Sequence, residues 1–312
     1  MKVLLVGAGA VGVTYGFHLA RGGADVTYLV KPKHADGLRS GLDFHRLNRR
    51  RPVERFTEFE LLTDASDAVG GGWDQVWLCV SSTALHAGDW LPRLLAGIGE
   101  ATLVTLQPGL EDRAQLEALY PAERIVSGMI SLIAYQTPLP GGSLTPGIAC
   151  WFPPLGPSPF SGDRVAVERI VSTLRRGGCP AKRARDVAAQ LAFGSALMMP
   201  VIAGLEAAGW SFASLPRHEV WRECRRAAHQ TSVVARPGFR RWLVGLVMAG
   251  PLLRGGLWLA PRVIPLDLQT YLQYHFTKVG DQTRAALRLY ATRAEERGLP
   301  HDAVDDLCER LG

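Results

Sequence analysis

Gly7, Gly9 and Gly12 stand in the run Gly7-Ala8-Gly9-Ala10-Val11-Gly12, a spacing that suits a main chain folded around a diphosphate. In that arrangement Gly7 permits a tight turn, Gly9 lets the backbone approach the anion, and Gly12 lets the following helix lie close to the preceding strand. The free amides of Ala10 and Val11, at the start of that helix, then face the phosphates together with the positive end of the helix dipole. A second polar set lies far downstream: Tyr271, His275, Lys278 and Gln282 recur at spacings of four, three and four. If one helix carries them they share a stripe beside the apolar residues Leu272, Phe276, Val279, Ala286 and Tyr290. Such a stripe serves either as the solvated boundary of an amphipathic helix or as a cleft wall. In a cleft, Lys278 or His275 would act as general acid and Gln282 would orient a substrate.

The elements around the glycines are those the motif needs. The apolar run Val3–Val6 predicts a strand buried on both faces, the stretch to Ala20 a helix, Gly22-Gly23 a stop, and Val26–Val30 a second strand. Further strands are expected at Val76–Val80, Leu103–Leu106 and Ile125–Val126. Their alternation with helical stretches indicates an α/β, Rossmann-type doubly wound sheet. Loops after parallel strands open at one edge, so Ser81-Ser82-Thr83 and Gln107-Pro108-Gly109 fall beside the same crevice; Ser81, Gln107 and Gly109 join the cofactor-binding set. His86, just past the first loop, is either a residue of the crevice or, the favoured reading, a helix-surface histidine. Beyond about residue 185 the periodicity turns helical. The expected division is a dinucleotide domain over 1–184 and an all-helical substrate and dimerisation domain over 185–312.

The end of the second strand bears on the nucleotide. A carboxylate there would hold the ribose 2′-hydroxyl of NAD, but Val30-Lys31-Pro32-Lys33-His34 has none, and Asp25 lies at the opposite end of the strand. Lys31 and Lys33 are either solvated loop charges or the partners of a 2′-phosphate, and the missing acid favours NADP(H).

Across all 312 residues the net charge is +6. Arg46, Arg49, Arg50, Arg51 and Arg55 form the densest basic cluster, centred on an expected loop, with no aromatic residue among Arg49–Arg51 to stack a base. Nucleic acid is therefore not an expected partner. The five cysteines are scattered, without a C-x-x-C pair, which argues against a disulfide framework or a structural zinc site and fits a reducing compartment; no metal site is expected, and the start of the chain reads as that of a cytoplasmic protein. The apolar stretch from Trp242 to Ile264 is broken by Pro251, Arg254, Gly255, Gly256 and Pro261 before reaching the roughly 17–25 residues of a membrane span. It reads as buried helices or as an apolar wall over a substrate pocket.

Taken together, Gly7–Gly12, Tyr15-Gly16, the basic strand end at Lys31 and Thr105-Leu106-Gln107-x-Gly109 resemble the ketopantoate reductase family, clearly over residues 1–130. The resemblance implies NADPH-dependent reduction of a 2-oxo acid by a Rossmann domain followed by a helical one. It also implies catalytic lysine and asparagine positions, and here these hold Ser81, Pro108, Gln190 and Gly194, while the family's substrate-binding glutamate falls near Gln282. Asn48 is the only asparagine in the chain, so the family's asparagine contacts have not simply moved. Of the five lysines, Lys2 opens the first strand, Lys31 and Lys33 belong to the cofactor edge, and Lys182 lies in an arginine-rich stretch, which leaves Lys278 as the ammonium able to polarise a carbonyl. The expected protein is an NADP-dependent reductase of a C=O or, less favoured, a C=N group in a bulky or apolar substrate other than ketopantoate. A homodimer is compatible with this reading. The alternative is an NADP-binding sensor or partner protein without catalysis.

Overall fold

The computed structural model describes residues 1–48, 53–238 and 241–311. Arg49, Arg50 and Arg51, the heart of the basic cluster, lie outside the described residues. The chain divides into two compact units, Met1–Ala188 and Ala189–Gly312.

The first unit runs β1 (Lys2–Val6), α1 (Ala10–Arg21), β2 (Asp25–Leu29), α2 (Pro32–Arg39), β3 (Leu42–Arg46), β4 (Glu54–Phe56), β5 (Glu60–Leu62) and β6 (Gln75–Leu78). There follow α3 (Ser82–Leu85), α4 (Trp90–Gly97), β7 (Thr102–Thr105), α5 (Asp112–Glu117) and β8 (Ile125–Gly128). It closes with β9 (Ile133–Thr137), β10 (Gly147–Trp151), β11 (Ser158–Ser161), α6 (Arg164–Arg176) and β12 (Ala181–Arg183). The main sheet has the order β12-β11-β8-β7-β6-β1-β2-β5. From β5 to β8 all neighbours are parallel, and β11 joins antiparallel to β8. Strand order reverses between β1 and β6, the switch point at which a doubly wound sheet opens a ligand crevice. The expected strands are present, each within two residues of its expected bounds at either end.

A second sheet, β4-β3-β10-β9, was not expected from the sequence. It packs on α1, whose residues Gly12 to Leu19 are all buried. Phe17 stacks on Phe44 of β3 with ring centroids 3.9 Å apart, and Phe56 meets it edge-on at 5.4 Å. Helix α1 is thus covered by a sheet on either side, so it carries no polar face. Asn48 is a structural clamp: it donates to the Phe152 carbonyl at 2.6 Å and accepts from the Phe152 amide at 2.7 Å. The flanks of the basic cluster are not a solvated loop. Arg46 and Arg55 lie in β3 and β4, where Arg46 pairs with Glu54 and Arg55 with Asp43 at 2.8 Å.

Among the described residues seven α-helices follow: α7 (Val187–Ala207), which crosses the unit boundary, then α8 (Val220–Ala235), α9 (Arg241–Val247), α10 (Gly250–Val263), α11 (Leu268–Lys278), α12 (Gly280–Glu296) and α13 (Asp302–Leu311). Among the described residues no strand lies beyond β12, in keeping with the helical expectation. Two features differ. The expected helix from 267 to 296 is broken at Val279, whose backbone (φ −121°, ψ 27°) ends α11 and begins α12. The apolar stretch 242–264 is buried only in part: Val244, Met248 and Leu257 reach the core, whereas Trp242, Leu246, Leu252, Trp258, Leu259 and Val263 are all about half exposed or more. Apolar length alone does not say which side of a helix finds a partner.

Candidate functional site

The site is built from the glycine turn outward. Gly7 has φ +103°, a backbone only glycine adopts without strain, and a Cβ there would lie 2.9 Å from the Cys79 carbonyl oxygen at the end of β6. A Cβ at Gly12 would overlap the Gly7 carbonyl oxygen, so α1 lies on the turn only because Gly12 has no side chain. Gly9 caps α1 with φ −71°, and a Cβ there would meet nothing within 4 Å. The turn therefore leaves open space at Gly9, beside the first turn of α1, and free amides at a helix start are the groups that can take a diphosphate. Gly16 gives way to the Tyr28 ring, and the Tyr28 hydroxyl donates to the Gly12 carbonyl at 3.3 Å, tying β2 to α1.

Lys31 caps α2 directly after β2, Pro32 occupies the first helical turn, and Lys31 and Lys33 are both exposed. Neither enters an ion pair among the described residues. The nearest acid along α2, Asp36, pairs with Arg39 at 3.2 Å. Positive charge at this strand end is thus available to an anionic ligand.

On the other side of the turn, the loops after β6 and β7 are joined by one buried carboxylate. Asp112, with 4% of its side chain exposed, accepts from Gly109 N at 2.7 Å and from Ser82 Oγ at 2.7 Å, and lies 2.7 Å from His86 Nε2. The Nε2 position is occupied by this bond, so His86 keeps Nδ1 for another partner, on a ring about one third exposed. A carboxylate bonded to one imidazole nitrogen fixes the ring and its proton, the arrangement of an oriented acid or base. His86 is therefore not the free surface histidine that its position in sequence suggested. Asp112 was missed altogether, because 26 residues separate it from His86 and no local spacing links them.

Ser81 acts locally: its Oγ accepts from Ala84 N at 3.1 Å and caps α3. Gln107 is buried, its amide donating to the Leu78 and Val80 carbonyls at 2.9 and 2.7 Å while its oxygen accepts from Thr105 Oγ1 and Leu106 N. Both amide hydrogens are used, so this side chain braces β6 against β7. The Cys79 thiol is pushed up to about 12 by burial, which removes it as a nucleophile. A depression of about 650 Å³ lined by Lys2, Asp25, Glu58 and Glu60 opens at the opposite ends of β1 and β2, and its acids would repel phosphates.

In the second unit, Tyr271 and His275 stack with centroids 5.7 Å apart on α11. Burial, and secondarily the Lys278 charge, lowers the His275 pKa, and burial pushes Tyr271 up to about 12. Lys278 is the exposed last residue of α11, whereas Gln282 sits in the first turn of α12. The four residues thus do not form one helical stripe: the chain turns at Val279 between the third and the fourth. Glu206, on the apolar helix α7, pairs with Arg284 at 2.8 Å.

Residues 3–143 match the family model of ketopantoate reductase PanE/ApbA. Over that span the sequence is similar to that family. Among curated proteins no significant match is found. Solved structures share the fold. A PanE/ApbA family ketopantoate reductase from Ralstonia eutropha JMP134 superposes with a TM-score of 0.72 at 20% identity, over 100% of this chain and 97% of the other. D-mandelate dehydrogenase in a ternary structure with NADH and anilino(oxo)acetate gives 0.74 at 16%, over 100% and 97%. A dimeric ketopantoate reductase from Staphylococcus aureus gives 0.69 at 15%, again over 100% and 97%. At such identities the likeness speaks for the fold, an N-terminal Rossmann domain followed by a helical one.

Proposed function

We propose that the protein is an NADPH-dependent reductase of a 2-oxo acid or related carbonyl compound, with the first unit holding the dinucleotide and the second contributing to the substrate. The observation that carries this reading is the glycine turn, whose open face at Gly9 fits a diphosphate, in a segment similar to the ketopantoate reductase family. Gly7, Gly9, Gly12 and the amides of Ala10 and Val11 hold the diphosphate. Lys31 and Lys33 hold the 2′-phosphate, and the main chain of Ser81 and Gly109 borders the nicotinamide side. D-Mandelate dehydrogenase takes NADH, so the preference for NADPH rests on the two lysines and the absence of an acid at the end of β2. Titration of both coenzymes tests it: tighter binding of NADH rejects the assignment.

A bound nicotinamide supplies the hydride. The chain must orient the carbonyl compound and deliver a proton to its oxygen. His86 suits the proton delivery. As imidazolium it keeps Nε2–H on Asp112 and gives up the Nδ1 proton, and Asp112 holds the ring in place before and after. Lys278, with His275 and Gln282, is the rival set. His86→Gln and Lys278→Met, assayed against 2-oxo acids, β-keto compounds and cyclic imines, separate the two. Loss of a general acid lowers kcat by about 10²–10⁴-fold with little change in NADPH affinity. If only Lys278→Met shows that loss, the role passes to Lys278. NADPH binding without turnover on any of these compounds would instead mark a binding protein.

A further inference from the structure

Between Glu223 and Asp267 the chain carries seven arginines and no carboxylate. This stretch covers most of α8, then α9 and α10, and on the last two several large apolar side chains face outward. Trp242 is 62% exposed and Trp258 61%, with Leu246, Leu252, Leu259 and Val263 beside them in sequence or one to two turns away. On α10 the exposed residues form two neighbouring stripes. Leu252, Leu259 and Val263 make an apolar one, and Arg254, Trp258 and Arg262 recur every four residues along the other. Arg262 lies over the Trp258 ring at 4.2 Å and donates to the Trp258 carbonyl. Inward, Leu257 joins the core of this unit, so the outward face is what packing leaves over.

Against α10 lies a groove of about 450 Å³. Its walls are apolar, with Phe212, Pro216, Leu257 and Trp258, and its charged residues are Arg217, Arg254 and Arg262. None of these three arginines meets a carboxylate among the described residues. Arg254 donates to the Pro216 carbonyl at 3.1 Å and lies over Trp221 at 5.7 Å. Three guanidinium groups in an apolar groove, beside exposed tryptophans and leucines, ask for a partner that is anionic and apolar at once.

We propose that α9 and α10 dock on an anionic phospholipid surface, with a lipid phosphate taken by Arg217, Arg254 and Arg262. Both helices are too short to span a bilayer, at 7 and 14 residues. Basic and aromatic helices of this kind lie in the headgroup plane, with tryptophan at the boundary and arginine among the phosphates. A second copy of the chain fits less well. A two-fold contact sets the same patch against itself, and this patch would bring unpaired arginines onto arginines.

The test is flotation of the full-length protein with vesicles of phosphatidylcholine alone or mixed with phosphatidylglycerol. Flotation with the anionic vesicles only, weakened by salt and accompanied by a blue shift of tryptophan emission, is expected. Arg254→Gln with Arg262→Gln lowers the partition coefficient roughly 30-fold, at about tenfold per 1.4 kcal/mol. Trp242→Ser with Trp258→Ser abolishes the blue shift; both side chains are mostly exposed, so circular dichroism should be unchanged. Three outcomes overturn the proposal: equal binding to both vesicle types, binding of inorganic phosphate without vesicles, or no flotation with the anionic vesicles, in which case a dimer that Trp258→Ser converts to monomer would assign the face to a second copy. None of these measurements depends on the reductase activity.

Discussion

Glycines whose absent side chains do different work can be told apart by substitution. Gly12→Ala places a methyl group on the Gly7 carbonyl oxygen and must push α1 off the turn. A loss of about 1–3 kcal/mol in stability is expected, measured by denaturant unfolding, with NADPH affinity falling alongside. Gly9→Ala meets nothing within 4 Å in the protein and keeps an ordinary φ, so its melting temperature should stay within a degree or two of wild type (about 0.5 kcal/mol). Its NADPH affinity should nevertheless fall, because the methyl group points into the space assigned to the diphosphate. A Gly9→Ala protein that binds NADPH normally removes the diphosphate from this turn. Lys31→Glu should raise the Kd for NADPH and leave that for NADH nearly unchanged, as two titrations would show. The glycine run and the two lysines were readable because each acts on its immediate neighbours. The His86–Asp112 pair was not: a histidine on a short helix looks the same whether or not a distant loop brings it a carboxylate.

At the scale of elements, α1 holds a titration built into the fold. His18 is fully buried among Phe17, Phe44 and Phe152, with Nδ1 donating to the Gly177 carbonyl at 2.8 Å and no partner for Nε2. Burial lowers its pKa from 6.5 to about 4, against the weaker opposing effect of the Gly177 carbonyl. The unfolded chain binds this proton near pH 6.5 and the folded chain only near 4. The stabilisation is complete above 6.5 and is lost as the pH falls to 4, by roughly 3 kcal/mol. His18→Leu should flatten that part of the stability–pH curve, followed by urea unfolding at a series of pH values. Phe17→Ala, which removes the ring stacked on Phe44, should cost about 3–5 kcal/mol. The inner main-sheet strands β1, β2, β6, β7 and β8 were readable from apolar runs, whereas the short strands β5, β11 and β12 were not. The small sheet escaped because β3 pairs with β10 about a hundred residues away (Phe44 with Ile148, for instance), and β4 has only three residues. Likewise the turn at Val279 came as an unmarked break in a run that reads as one helix, with Gly280 its only local hint.

The whole molecule divides at Ala188, and the glycine turn, Lys31, Lys33 and the His86–Asp112 pair all lie in the first unit. A fragment of residues 1–188 should therefore unfold cooperatively and bind NADPH by calorimetry while failing to turn over any carbonyl compound. A fragment with no affinity, beside a full chain that binds, would show that residues 1–188 do not make the cofactor site by themselves. By itself the sequence determined the strand–glycine turn–helix unit, the absence of an acid after β2, and the passage from α/β to helical character. In each case the cause lies within a few residues: backbone freedom at glycine, the alternation of apolar runs, the charge at a strand end. Only the tertiary structure decided what depends on partners distant along the chain. Asp112 reaches His86, Asn48 clamps Phe152, two sheets enclose α1, and α9 and α10 keep their tryptophans in the open. Hydrogen bonds and apolar contacts act through space, and a linear pattern records which groups are present but not which of them meet.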